Sequence, residues 1–236
     1  MSSFISSMET AWGGMLSSFW DSLTGFFSGM STSIIAGTYM LMEHPSIVFT
    51  LLAVLVAIFA WIKLKNTHLT THMLIYMALM LALAVILHQI RLYHMPQGGS
   101  VTLGGMVPLL LISYRYGSGP GCLAGFIFGM ITILQDPFLV HPLQVLFDYP
   151  LPFMALGLAA AFPAHMWIST CLAFLARFLC RFISGVVFFA SYAPPDTSPY
   201  IYSLTINATY LIPEFVICII LLKLLPVKHL ISFMKK

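Results

Sequence analysis

Charged side chains are scarce in this sequence. Only 7% of its 236 residues are Asp, Glu, Lys or Arg, whereas 60% are hydrophobic. Because soluble domains carry about 25% charged residues, this composition predicts an integral membrane protein that sits in a lipid bilayer. The apolar runs are long and continuous, which favours spanning helices over the alternating segments of a β-barrel. The net charge of +3 gives no reason to expect a nucleic-acid partner.

Motifs for common enzyme chemistry are also missing. No G-x-x-x-x-G-K-S/T phosphate loop occurs, so the chain cannot hydrolyse ATP by that route. The Gly-Ser-Gly triplet at 117–119 predicts a turn, and His68 and His72 lack a nearby acidic third ligand. We therefore predict no catalytic residue, metal site or cofactor. The cysteines have no metal-binding spacing and predict buried thiols rather than disulfides; they are Cys122, Cys171, Cys180 and Cys218.

The apolar runs divide the chain into seven predicted spans. A spanning helix needs about 20 apolar residues, and fewer where interfacial groups bracket it. The predicted spans are Pro45–Ile62, Met73–Ile90, Val101–Tyr114, Cys122–Leu134, Val145–Phe162, Met166–Ala190 and Ser203–Leu222.

Residues 1–44 differ from the rest of the chain, since they are rich in Ser, Gly, Thr and aromatic residues and contain no Lys or Arg. The pattern of a signal peptide is not visible in them. We predict an extracellular or interfacial segment, with one or two helices whose aromatic side chains dip into lipid. The charge-free run Leu23–Met42 leaves an eighth span as the alternative.

The distribution of Lys and Arg predicts the orientation. Cytoplasmic loops are enriched in positive residues, and with seven spans Lys63, Arg115 and the C-terminal lysines fall on one side. The opposite loops, 135–144 and 191–202, contain aspartate but no Lys or Arg. We therefore predict a multi-pass cell-membrane protein with its N-terminus outside and its C-terminus in the cytoplasm. Arg91, at the outer end of the second span, is an exception.

Ionisable residues also fall inside the predicted spans, where charge is costly and marks a functional site by default. Arg177 and Arg181 lie four residues apart on one face of the sixth span. Arg177 is at a similar depth to Glu214 of the seventh span, which predicts a buried ion pair that holds the two helices together. Arg181 lies one turn nearer the outside and can reach Asp148 of the fifth span. Either Arg181 or a ligand then neutralises that carboxylate.

Aromatic and amide groups collect in the predicted outer half of the chain. An aromatic belt at the lipid headgroups is one explanation, but a belt requires neither Asn207 inside an apolar span nor Asp148 beside Tyr149. Together these groups suit a pocket for a small, flat, polar ligand. The aromatic members are Tyr149, Phe189, Tyr192, Tyr200 and Tyr202.

Small residues predict a separate contact surface on the second span. Ala78 and Ala82 are four residues apart, so another helix can approach closely along that face. That helix belongs either to this chain or to a partner membrane protein.

Five ordered motifs carry a resemblance to a known family. From about residue 73 onward, over roughly 160 residues, the chain resembles the thiamine-specific substrate-binding (S) component of energy-coupling factor (ECF) transporters, the ThiT family. The motifs are MPQGGSVTLGGMVP (95–108), RYGSGPGCLAGFIFG (115–129), QVLFDYPLPFMALGLA (144–159), RFISGVVFFASYAP (181–194) and YSLTINATYLIPE (202–214).

The resemblance implies an all-α membrane protein with a six-helix substrate-binding core at 73–236 and one additional transmembrane helix at 45–65. It implies a vitamin pocket open to the outside, with thiamine or a related vitamin bound by Asp148, Tyr149, Tyr202 and Asn207. It further implies docking through Ala78 and Ala82 on a transmembrane coupling protein that works with two cytoplasmic ATPase subunits. Such a protein is not an enzyme.

Two positions depart from the family pattern. Arg181 stands where the family commonly has a histidine in the pocket, and Phe189 stands where a tryptophan is typical. Phe189 keeps an aromatic face for stacking, so we include both residues in the predicted site. Arg181 matters more, because thiamine carries a permanent positive charge and like charges repel strongly in a low-dielectric pocket. Either Arg181 pairs with Asp148, or the ligand is a less cationic relative such as the pyrimidine moiety or another small heterocycle. An intramembrane lipid-modifying enzyme is the alternative from a different class.

Overall fold

The computed structural model describes residues 69–95, 99–162 and 165–227, together with scattered positions between 20 and 54. Within these residues the core is a set of helices with one small hairpin. The elements are α1 (Thr71–Gln89), β1 (Arg91–His94), β2 (Ser100–Thr102), α2 (Val107–Tyr116), α3 (Ser118–Gln135), α4 (Pro142–Asp148), α5 (Pro150–Met154), a 3₁₀ helix (Ala155–Ala160), α6 (Met166–Phe188), a 3₁₀ turn (Ala190–Tyr192) and α7 (Pro199–Leu224).

Five segments of the described residues are long and apolar enough to cross a membrane. They are α1, α3, the continuous stretch Pro142–Ala160, α6 and α7. With α2 they form six consecutive helical segments, which confirms the all-α membrane architecture expected from the composition.

The second predicted span corresponds to α1, which begins at a polar cap. The Thr70 hydroxyl accepts a hydrogen bond from the Met73 amide and so satisfies one of the free donors of the first turn. The buried residues of α1 recur every three to four positions, which places them on one face of the helix. They are Met73, Met77, Leu81, Ala84 and His88.

The third predicted span, Val101–Tyr114, is wrong in its first part. Ser100–Thr102 is a strand that pairs antiparallel with Arg91–His94, and the helix begins only at Val107. Gly104 has φ +75°, a conformation that side chains rarely adopt, so the chain turns there before the helix starts. At ten residues α2 is about 15 Å long, half of a bilayer core, and its residues 107–113 are buried by its neighbours.

The fifth predicted span, Val145–Phe162, is not one helix. Prolines 150 and 152 lack amide donors. The segment breaks at Tyr149, between α4 and α5, and α5 continues into the 3₁₀ helix. The glycines of α3 allow α5 to lie directly against it. A side chain at Gly125 would meet the Phe153 backbone, and one at Gly129 would meet Pro150. This close contact positions the break at Tyr149, beside the outer end of α3.

The last two spans are confirmed as the long helices α6 and α7, which pack against each other. Both expose large apolar side chains along one side, as expected for helices that face lipid. Pro213 lies inside α7 without ending the helix. The opposite sides of α6 and α7 face the broken segment and carry the polar groups described below.

The N-terminal predictions lie largely outside the described residues. Most of Pro45–Ile62 is not described, so the additional span at 45–65 and the boundary at residue 44 stay predictions. Within the predicted interfacial segment the structure contains an apolar helix at Phe27–Ala36. The described residues 27–36 are exposed or half-buried.

Candidate functional site

Two adjoining cavities lie between the broken segment and the facing sides of α6 and α7. With their open mouths included, they enclose about 380 Å³ and about 490 Å³. Asp148, Arg181 and Tyr210 line both cavities. All six residues predicted to bind substrate line at least one of them: Asp148, Tyr149, Arg181, Phe189, Tyr202 and Asn207.

Asp148 reaches the cavities because α4 ends there. Its carboxylate is 5% exposed and accepts a 2.5 Å hydrogen bond from the Gln144 side-chain amide, one turn earlier on the same helix. The Gln144 side chain also donates to the Phe138 carbonyl and accepts from the Val140 amide. Gln144 therefore ties the carboxylate to the loop that precedes α4.

Arg181 is the partner that Asp148 has in this structure. The distance between Arg181 Nη1 and Asp148 Oδ1 is 3.7 Å, which is an ion pair but too long for a strong hydrogen bond. The guanidinium also lies 5.9 Å from the centre of the Tyr149 ring. Both Arg181 and Asp148 still face cavity space, so their pairing leaves a ligand access to each of them.

Tyr149 has a structural role that the sequence does not reveal. Its hydroxyl donates to the Asp136 carbonyl at 2.7 Å and accepts from the Phe138 amide at 2.8 Å. Both hydrogen bonds hold the loop after α3. The ring of Tyr149, rather than its hydroxyl, is the part that remains for a ligand.

On α7, Asn207 belongs to a small polar cluster. Its side-chain amide donates to the Ser203 carbonyl at 2.9 Å, and its side-chain carbonyl accepts from the Tyr210 hydroxyl at 2.8 Å. Gly185 of α6 lies so close that a side chain there would collide with Ser203, so α6 and α7 approach each other at the cavity. The cluster holds Asn207 in a fixed orientation at the cavity wall.

Aromatic rings gather at one side of the first cavity. Phe189 stacks on Phe138 with ring centres 5.6 Å apart, and Tyr192 contacts both rings. Tyr202 is half-buried and lines the cavity, whereas Tyr200 is 63% exposed and takes no part in it. The predicted group of aromatics therefore divides into cavity residues and two exposed residues that line neither cavity, Tyr192 and Tyr200.

The predicted buried pair of Arg177 and Glu214 is confirmed. The distance between Arg177 Nη2 and Glu214 Oε2 is 3.0 Å, and both side chains are almost inaccessible. Thr102 of β2 donates to the other Glu214 oxygen at 2.9 Å, and the Arg177 guanidinium lies 4.9 Å from the centre of the Phe153 ring. The hairpin, α5, α6 and α7 therefore meet at one ion pair.

Arg91, the exception to the charge distribution, has a partner on the same side of the molecule. Its guanidinium is 3.0 Å from the Asp136 carboxylate, and His94 approaches the same carboxylate at 3.8 Å. An arginine that is neutralised by a carboxylate contributes little to the excess of positive charge that indicates a cytoplasmic loop. Arg91 is thus compatible with an outer position.

Comparison with known proteins places the chain in a family. The model of the thiamine transporter protein family (Thia_YuaJ) matches residues 74–234, well over half of the sequence. This chain belongs to the thiamine transporter family. The match begins inside α1, so the N-terminal region precedes the part that is shared with the family. Membership identifies a membrane transport protein rather than an enzyme.

Individual members of the thiamine transporter family show the extent of the similarity. The chain is 40% identical over 171 residues to the thiamine transporter ThiT of Bacillus subtilis, which covers 64% of this chain and 88% of that protein. It is 28% identical over 123 residues to ThiT of Lacticaseibacillus paracasei, covering 44% and 61%. A solved structure of ThiT from Listeria monocytogenes matches with a TM-score of 0.59 and 22% identity, over 66% of this chain and 93% of that one, which supports the fold.

Several cavity residues escaped the sequence analysis, and Tyr210 is the most central of them. It is 1% exposed, lines both cavities and lies one turn after Asn207 on the same face of α7. Its helical spacing from Asn207 is the sequence feature that could have identified it. Gln144, four residues before Asp148, carries the same signal. The contribution of Gly99 and Ser100 depends on the hairpin and has no comparable signal in the sequence.

Proposed function

We propose that this member of the thiamine transporter family is the substrate-binding membrane subunit of an ECF-type vitamin uptake transporter. It binds thiamine from outside the cell and delivers it with energy from partner ATPases. The observation that carries this proposal is the meeting of Asp148, Arg181, Phe189, Tyr202 and Asn207 around one cavity. An S component for a related pyrimidine or another small heterocycle is the second candidate, which Arg181 favours.

The two ring systems of thiamine match the chemistry of this cavity. Phe189 and Tyr202 offer flat aromatic faces, and Asn207 offers an oriented amide for an aminopyrimidine. Asp148 is the carboxylate available to a cationic ring. The same fixed groups also suit the pyrimidine half alone, so affinity for the separate halves distinguishes the two candidates.

The proposed docking surface lies on α1, away from the cavities. Ala78 and Ala82 are exposed on the same face as Leu79 and Ile86, which are 61% and 55% exposed. Small residues on an exposed helix face suit close approach of a second membrane helix. We propose the coupling protein as that partner, with the C-terminus of this chain in the cytoplasm where the ATPases lie.

A binding measurement tests the proposal directly. The purified full-length protein in detergent is titrated with thiamine, with intrinsic Trp and Tyr fluorescence as the signal. We expect saturable binding below micromolar concentrations. Absence of saturable binding for thiamine, for its pyrimidine half and for its phosphate esters would reject the proposed function.

Docking is tested by substitution at the α1 surface. Ala82→Trp is expected to abolish uptake in cells that contain the coupling protein and ATPases, while ligand binding by the purified protein stays unchanged. Leu175→Trp, at an exposed apolar position of α6 rather than on α1, is the matched control. Loss of binding together with uptake would indicate a role of Ala82 in folding instead.

A further inference from the structure

Within the described residues, the charged groups around the two cavities are paired one to one. Arg177 pairs with Glu214 at 3.0 Å, Arg91 pairs with Asp136 at 3.0 Å, and the remaining pair is Arg181 with Asp148. A lone cationic ligand therefore enters a pocket in which each carboxylate already has an arginine. The positive charge of the ligand then has no unpaired carboxylate to bind, which is costly in a low-dielectric site.

The pair formed by Arg181 and Asp148 is the loosest of the three. Its atoms are 3.7 Å apart, and of the three pairs only this one has both members facing the first cavity. Among the described residues, none accepts a hydrogen bond from Arg181 Nε, although that atom is buried. The guanidinium therefore has donors to offer on the cavity side.

A second guanidinium lies beside the same space. Arg177 and Arg181 are one turn apart on α6 and both line the second cavity. In the described part of the chain, Nε and Nη1 of Arg177 are also buried without an acceptor. Two guanidinium groups with spare donors are the usual recognition element for a phosphate group, whose oxygens accept several hydrogen bonds.

We propose that the pocket selects a ligand that carries both charges, a phosphate monoester of thiamine, and that Arg181 is the residue that determines this preference. The inference rests on the proposed function and concerns the same site. The thiazolium cation takes the place of Arg181 beside Asp148, and the phosphate takes the place of Asp148 beside Arg181. Both charges of the original pair stay matched after binding.

The lining of the site agrees with such a ligand. The first cavity is lined by the aromatic and amide groups that suit the rings, and the second by Asp148, both arginines and Ser100. Asp148, Arg181 and Tyr210 form the boundary between the two. A ligand with a heterocyclic half and an anionic tail spans that boundary.

The test compares thiamine with thiamine monophosphate on the purified full-length protein by calorimetric titration. We expect wild type to bind the monophosphate at least tenfold more tightly than thiamine. Arg181→Gln is expected to weaken monophosphate binding at least tenfold and to leave thiamine binding unchanged or improved. Arg181→Lys keeps the charge and is expected to retain part of the preference.

Arg115→Gln is the matched control, since Arg115 lies at the end of α2 and lines neither cavity. It is expected to change neither affinity. Equal or tighter binding of thiamine by wild type overturns this inference and leaves the proposed function intact. An Arg181→Gln variant that loses both ligands equally also overturns it. Failure of wild type to bind either ligand rejects the proposed function as well. Because the wild-type ratio is decisive alone, poor folding of a variant does not remove the test.

Discussion

Two arginines one turn apart on α6 meet two carboxylates in very different ways. Arg177 and Glu214 are 3.0 Å apart, inaccessible to solvent and braced by Thr102, whereas Arg181 and Asp148 are 3.7 Å apart beside cavity space. Each pair joins an arginine of α6 to a carboxylate. The difference shows that packing around a pair decides whether its charges hold helices together or remain available to a ligand.

The deeper pair belongs to the packing of the helices. It joins α6 to α7, and through Thr102 and Phe153 it also contacts the hairpin and α5. Both carboxylate oxygens of Glu214 have partners supplied by the protein. The pair of Arg181 and Asp148 instead has the Gln144 side chain on one side and cavity space on the other. We therefore expect substitutions in the pair of Arg177 and Glu214 to change mainly stability. Substitutions in the pair of Arg181 and Asp148 should change mainly ligand binding.

The largest effect is expected from Glu214→Ala. Removal of one member of a buried ion pair leaves the other charge unmatched and costs about 3–5 kcal/mol of folding free energy. Thermal unfolding of the purified protein in detergent measures the loss. Glu214→Gln, which keeps the hydrogen bond from Thr102, is the control and should lose less. An unchanged melting temperature in Glu214→Ala would contradict the assignment of this pair to helix packing.

A binding effect is expected from Asp148→Ala. Thiamine affinity should fall at least tenfold, about 1.4 kcal/mol, because the carboxylate that lines the first cavity is removed. Its melting temperature should fall less than that of Glu214→Ala, because Arg181 faces cavity space and is more easily solvated. Titration and thermal unfolding are done on the same preparation. If stability falls as far as in Glu214→Ala while affinity is retained, the two pairs do not differ as proposed.

The smallest effect is expected from Tyr149→Phe. The ring stays in place while two hydrogen bonds to the loop at 136–138 are lost, and each contributes about 0.5–1.5 kcal/mol. We expect a modest drop in melting temperature and faster hydrogen exchange at the Phe138 amide, with affinity reduced by less than tenfold. A loss of binding as large as that of Asp148→Ala would show that the hydroxyl itself contacts the ligand.

Much of this site was accessible from the sequence because charge inside an apolar span is conspicuous. Asp148, Arg181 and Asn207 stood out by type and by position, and the spacing of Arg177 and Arg181 predicted a shared helix face. The depth comparison of Arg177 with Glu214 also predicted their pairing. Gln144 was missed because a polar side chain near a helix end is common, and Tyr210 because an aromatic residue within an apolar span is common. Only their neighbours make them part of a site.

Helix boundaries were less accessible where apolar runs continue through irregular backbone. Hydropathy does not distinguish the strand at 100–102 from the first turn of α2, since both are uncharged and buried. It also treats Val145–Phe162 as one span, although the prolines after Tyr149 divide it. The close approach of α3 and α5 at Gly125 and Gly129 determines where the break in this span lies against α3.

The sequence by itself determined the membrane class, the number of core helical segments and the position of each ionisable group along its helix, because these follow from composition and from distance along a helix. The tertiary structure decided how each helix is rotated and where the fifth span breaks. Those two features bring Arg177 to Glu214 inside the protein and Arg181 to Asp148 at the cavity. Depth along a helix can be counted from the chain, but rotation about its axis is determined by the packing of all its neighbours.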